Sequence, residues 1–164
     1  MTDIKSTVYI ETSIVSYLTA RPSSDLLAAA WQKATVDWWD TQRNRFECYI
    51  SDILLEEAGR GDPVASAKRL DAISGIPILS ITNGIVELSE MIINEGVLPK
   101  KAIDDSLHIS IATIHQIDFF LTRNCRHIAN AEIKPLIQNI CMRNNQKCPE
   151  ICTPIELMGV NQNG

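Results

Sequence analysis

The sequence predicts an α/β fold, a three-layer α/β/α sandwich in which a central parallel sheet of about five short strands lies between layers of helix. Two observations carry this. Short β-branched or aromatic runs alternate with longer stretches of helical periodicity along the whole chain, the pattern of successive βαβ units. The first such run, Ser6–Ile10 (STVYI), is apolar on both faces, as a strand in the middle of a parallel sheet must be when helices cover both sides.

Each element follows in order. Glu11 to Leu18 leaves the first strand through an acid and two hydroxyl residues into a short apolar turn of helix. After the turn-rich ARPSSD, the stretch from Asp25 places Leu27, Trp31, Ala34 and Trp38 at helical spacing, with Ser24 or Asp25 as N-cap. Phe46–Ile50 (FECYI) is a second strand, and Ser51 caps the helix DILLEEAGR, which stops at Gly59 to Gly61. Pro63–Ser74 fits a helix with proline near its start, Pro77–Ile81 a third strand, and Asn83–Gly96 a helix closed by glycine. Pro99 opens a helical stretch in which Ile103, Leu107, Ile111 and Ile114 form a stripe, and Asp118–Thr122 is a fourth strand. A last helix over Ala131–Arg143 precedes Ile151–Pro154, read as an edge strand because proline ends it. With no repeat, low-complexity tract or linker, residues 1–160 read as a single domain and 161–164 as a short tail.

Composition narrows the function. The 164 residues carry a formal net charge of −5, which argues against the broad basic surface that drives bulk nucleic-acid binding by counterion release. Any nucleic-acid contact is therefore local. The apolar runs are too short to span a membrane, and the N-terminal stretch MTDIKSTVYIE lacks the apolar core of an export signal, so a cytoplasmic protein is expected. Five cysteines, an odd count in a chain of this size, favour free thiols over a disulfide framework, and Cys141, Cys148 and Cys152 lack the paired spacing of a structural zinc site.

In open parallel sheets, ligands bind at the carboxyl ends of strands where the strand order reverses. The polar residues expected there are Glu11, Thr12 and Ser13 after the first strand, Glu56 and Glu57 after the second, and Thr122, Arg123 and Asn124 after the fourth. Asp104 and Asp105 lie at the start of the helix that feeds the fourth strand. Which of each adjacent acid pair faces inward is open at this level. Three carboxylates in one cleft repel one another unless a proton or a cation compensates, and hard oxygen donors suit Mg²⁺ or Mn²⁺. Such a site hydrolyses phosphodiesters by generating a hydroxide nucleophile and stabilising charge on the phosphoryl group.

Four segments, YIETSIVSYL, ISDILLEEAGRGDP, KAIDDSLHISIA and DFFLTRNCRHIANAEI, occur in this order. Together they resemble the PIN-domain family, and within it the VapC-type toxins of toxin–antitoxin pairs, from Val8 to about Met158. The resemblance implies a Mg²⁺-dependent endoribonuclease, with Mn²⁺ as a substitute ion. It implies RNA as substrate, a homodimer and a cognate antitoxin protein as partner. Position by position it puts the family acids on Glu11, Glu57 and Asp105 as metal ligands, with Asn124 at the fourth polar position, where it would orient water. Thr12, Ser13 and Thr122 become supporting hydroxyls. Separately from the resemblance, of Arg21, Lys100, Lys101, Arg123 and Arg126 it is Arg123, beside Asn124, that is the expected contact for RNA phosphate in an otherwise acidic protein. Glu11 stands where the family usually has Asp, and Asn124 likewise replaces an acid. The rival reading is a PIN-fold module that binds RNA or protein without efficient turnover. His108 and His115 are given no catalytic role, and Trp31, Trp38 and Trp39 are expected to pack a helix against the core or a partner.

Overall fold

The computed structural model describes residues 4–160; the expected tail, 161–164, lies outside them. Five parallel strands, β1 (Thr7–Ile10), β2 (Glu47–Ser51), β3 (Ile78–Leu79), β4 (Phe119–Leu121) and β5 (Glu150–Cys152), form one sheet in the order β3-β2-β1-β4-β5. The helices are α1 (Thr12–Thr19), α2 (Leu26–Thr41), α3 (Asp52–Ala58), α4 (Pro63–Ala72), α5 (Asn83–Asn94), α6 (Ile103–Ile114) and α7 (Lys134–Arg143). No helix among the described residues is long and apolar enough to cross a membrane.

Alternation along the strands divides the core between the two faces of the sheet. Tyr9, Phe120 and Ile151 pack with Ile85, Leu88 and Ile92 of α5, Ile109 and Ala112 of α6, and Ile137 and Ile140 of α7. Val8, Ile10, Ile50 and Leu121 point the other way, onto Ile14 and Val15 of α1, Trp38 of α2 and Leu54 and Ala58 of α3. This is the expected α/β/α sandwich. Trp38 is fully buried and its indole N–H donates to the Leu157 carbonyl at 3.1 Å.

Local chemistry sets the element ends. Asp25 rather than Ser24 caps α2 through Ala28 N, Ser51 caps α3 through Leu54 N, and Asp62 caps α4 ahead of Pro63. The third strand is shorter than the predicted Pro77–Ile81. Pro77 gives only its carbonyl, to Ile50 N, and the Ser80 carbonyl turns out to bond the His115 ring at 2.7 Å. The last helix starts three residues later than predicted, because the Asn130 side chain bonds Glu132 N in a turn and Pro135 sits in the first helical turn. Leu27 and Ile103, which open the two helical stripes, are exposed, at 59% and 39%. Each lies in the first turn of its helix. The five cysteines are free thiols.

Candidate active site

The strand order reverses between β1 and β4. From β1 the chain moves outward through β2 to β3, and it returns to the other side of β1 as β4 and then β5. The residues that leave the carboxyl ends of these two central strands therefore flank a crevice. Glu11 leaves β1 and Thr122 leaves β4.

Glu11 is buried, at 4% exposure, and serves as N-cap of α1. Its carboxylate accepts from Ser13 N at 3.1 Å and from Thr122 Oγ1 at 2.7 Å, and it also accepts from the Ser13 hydroxyl. Ser13 Oγ in turn accepts from Arg123 N at 2.7 Å. The extra methylene of glutamate is used to fold the carboxylate back over the helix N-terminus, where unpaired N–H groups favour negative charge.

The two adjacent acids on α3 diverge. Glu56 is exposed and pairs with Arg60 at 2.9 Å, four residues on. Glu57 turns inward, where Oε1 accepts from Thr12 Oγ1 at 3.3 Å and pairs with His108 Nε2 at 2.5 Å. Asp105 of α6 is likewise engaged. Asn124 Nδ2 donates to its Oδ1 at 3.1 Å, and His127 Nδ1 lies 2.9 Å from its Oδ2. Asn124 Oδ1 accepts from His127 N at 3.0 Å, so the asparagine both closes the turn after β4 and holds Asp105.

His108 lies between Tyr9 and Glu57. Its ring is buried, bonded to Glu57 through Nε2 and to the Tyr9 hydroxyl through Nδ1. Burial is the largest influence and disfavours the imidazolium. The hydrogen bond to Glu57 and the charges of Glu11, Glu57 and Asp105 together outweigh it, so its pKa lies above the ordinary histidine value. Asp105 stands three residues before it on the same face of α6.

One sequence assignment is corrected. Arg123 is not a surface contact for RNA phosphate: it is 5% exposed, and its guanidinium donates to Thr35 Oγ1 at 3.2 Å and to the Trp31 carbonyl at 2.8 Å. It also lies over the Trp31 and Tyr17 rings. The cause is alternation, since Thr122 faces Glu11 and the next side chain must face the α2 layer. Two residues at the site were passed over in the sequence. His108 falls one helical turn after Asp105, and His127 three residues after Asn124, and this spacing from the acids was the available signal.

The chemistry of the donors suits a hard divalent cation, since Glu11, Glu57 and Asp105 offer carboxylate oxygen and no thiolate. Among the described residues no group of three or more His, Cys, Asp or Glu side chains lies together so that it could hold a metal ion. Mg²⁺ commonly keeps several waters and takes substrate phosphate as part of its shell.

No protein-family model and no curated protein matches the sequence. Among solved structures, a chain of VapBC2 from Rickettsia felis, crystallised bound to a DNA fragment from its promoter, is similar in fold. Its TM-score is 0.58, over 90% of this chain and 98% of that chain, at 15% sequence identity. The PIN-like fold expected from the four ordered segments is the fold the chain has.

Proposed function

We propose that this protein is a Mg²⁺-dependent endoribonuclease that hydrolyses RNA phosphodiesters as the toxin of a toxin–antitoxin pair. The observation that carries the reading is the placement of Glu11 across the point where the strand order reverses, bonded to Thr122, with Glu57 held beside it by Thr12 and the buried His108. The fold shared with a VapBC2 chain supports it, and supports for this chain a partner protein of the antitoxin kind. A homodimer belongs to the same reading.

In this reading Glu11, Glu57 and Asp105 hold the ion, which when bound supplies a more acidic water and offsets charge on the phosphoryl oxygens. The residues of the chain do the positioning. Thr122 and Ser13 fix Glu11, Thr12 and His108 fix Glu57, and Asn124 and His127 fix Asp105. Each carboxylate is thus presented in one orientation before substrate arrives, which lowers the reorganisation needed for reaction. With Arg123 buried, phosphate contact falls to exposed cations such as Lys100 and Lys101, just ahead of α6.

The test is cleavage of a panel of structured RNAs with and without Mg²⁺, using Asp105→Asn as control. The expected result is metal-dependent cleavage that falls by at least about 100-fold in the variant, with an unchanged far-UV circular dichroism spectrum. Equal cleavage by both proteins would overturn the reading. RNA binding without turnover in the parent would favour the rival binding module, to which Glu11 and Asn124 lend support as departures from the usual acids.

A further inference from the structure

A buried hydrogen-bonded chain runs beneath the acids. Leu54 N donates to Ser51 Oγ at 3.3 Å, Ser51 Oγ lies 2.7 Å from Tyr9 Oη, Tyr9 Oη lies 2.5 Å from His108 Nδ1, and His108 Nε2 lies 2.5 Å from Glu57 Oε1. Ser51, Tyr9 and His108 are each 0% exposed, so none can exchange these partners for water. The chain begins and ends on one helix: Leu54 lies in the first turn of α3 and Glu57 in its last. The same serine that starts α3 therefore braces, through β1 and α6, the acid that α3 carries.

The order of groups in this chain has a chemical consequence. Hydroxyls both donate and accept, whereas an ionised carboxylate only accepts. With a neutral ring, Ser51 donates to Tyr9, Tyr9 donates to Nδ1, and Nε2–H donates to Glu57. With an imidazolium, Nδ1–H donates to Tyr9 and Nε2–H still donates to Glu57. The Tyr9 hydroxyl can thus serve either ring state, and both leave the hydrogen on Nε2. Burial, the first of several influences, raises the Tyr9 pKa far above its usual value, so the hydroxyl keeps its proton. Among the described residues Glu57 Oε2 has no protein partner, while Oε1 holds both Thr12 and His108.

We infer that His108, braced by Tyr9 and Ser51, is the positioning residue for Glu57, occupying Oε1 so that Oε2 alone is presented to a divalent cation. This rests on the proposal that Glu57 helps to hold the ion, and the test separates the two. Mn²⁺ binding is measured by calorimetry on the purified full chain without RNA, for the parent, Glu57→Gln, His108→Gln, His108→Asn and His108→Leu. Glutamine carries an amide donor on an arm long enough to reach Glu57, whereas asparagine is polar but too short and leucine has no donor.

His108→Leu is expected to weaken Mn²⁺ binding by about 10-fold or more, the usual range when a ligand's outer partner is lost, and Glu57→Gln, which removes the charge of the ligand itself, by at least as much. His108→Gln should bind within about 3-fold of the parent on the same scale. Should the leucine variant fail to fold, His108→Asn takes its place and is expected to bind as weakly. Unchanged binding by Glu57→Gln would overturn the metal reading itself. Weakened binding by Glu57→Gln together with parent-like binding by folded His108→Leu or His108→Asn would overturn the positioning role alone. So would folded glutamine and asparagine variants that bind equally weakly, since the donor would then not matter.

Discussion

Thr122 Oγ1 donates to Glu11 Oε2 at 2.7 Å, joining the ends of the two central strands across the point where the strand order reverses. The backbone repeats the link one layer down, since Glu11 N donates to the Leu121 carbonyl at 3.1 Å. Crevice and carboxylate are therefore set by the same two strands. A longer acid suits this place because its carboxylate must reach the α1 amide and the neighbouring strand's hydroxyl together.

Glu11→Asp tests that geometry. Aspartate is an effective N-cap and keeps the bond to Ser13 N, but one methylene fewer draws the carboxylate away from Thr122. The fold should survive with a stability loss of about 1 kcal/mol, the typical net worth of one hydrogen bond. Its Mg²⁺ affinity, or its preference between Mg²⁺ and Mn²⁺, should change, because Mg²⁺ tolerates little error in ligand placement. Calorimetric titration with each ion is the measurement, and identical constants for parent and variant would show that Glu11 does not touch the metal.

For Arg123 a structural role is expected. Its planar guanidinium bonds Thr35 and the Trp31 carbonyl at once, tying the end of β4 to α2. Lysine keeps the charge but not the fork. Arg123→Lys should lower stability by about 2 kcal/mol, as for hydrogen bonds to a charged group, measured by urea unfolding, while the salt dependence of RNA binding stays the same. An undiminished stability with a shallower salt slope would return Arg123 to the phosphate contacts.

Much of this fold was legible because the strands are short, apolar on both faces and regularly spaced. Acids, hydroxyls and cap residues at strand ends then locate a crevice without coordinates. What stayed illegible is direction. Glu56 and Glu57, or Asp104 and Asp105, are equivalent in composition, and only the docking of α3 and α6 turns one of each pair toward His108 or His127. Arg123 shows the same limit, since in the chain leaving β4 a cation next to a site residue in sequence is turned to the opposite face. His108 read as a packed helix residue because burial and hydrogen bonding to Tyr9 and Glu57 depend on contacts across 99 and 51 positions of chain.

Asn124→Asp addresses how many ions the site takes. Asn124 Nδ2 now donates to Asp105 Oδ1 at 3.1 Å, whereas aspartate would set a second carboxylate against the first. The turn should persist, because an aspartate oxygen can still accept from His127 N. Without metal the like charges repel, and the variant should be less stable than the parent at neutral pH by about 1 kcal/mol. The sign of the pH effect follows: a proton taken up by either carboxyl removes the repulsion, so the deficit shrinks as pH falls. A divalent ion relieves the same repulsion, so Mg²⁺ should stabilise the variant more than the parent. In a Mn²⁺ titration without RNA the parent should bind one ion tightly and the variant two. Two equally tight ions in the parent would mean that Asn124 costs the site no second metal position.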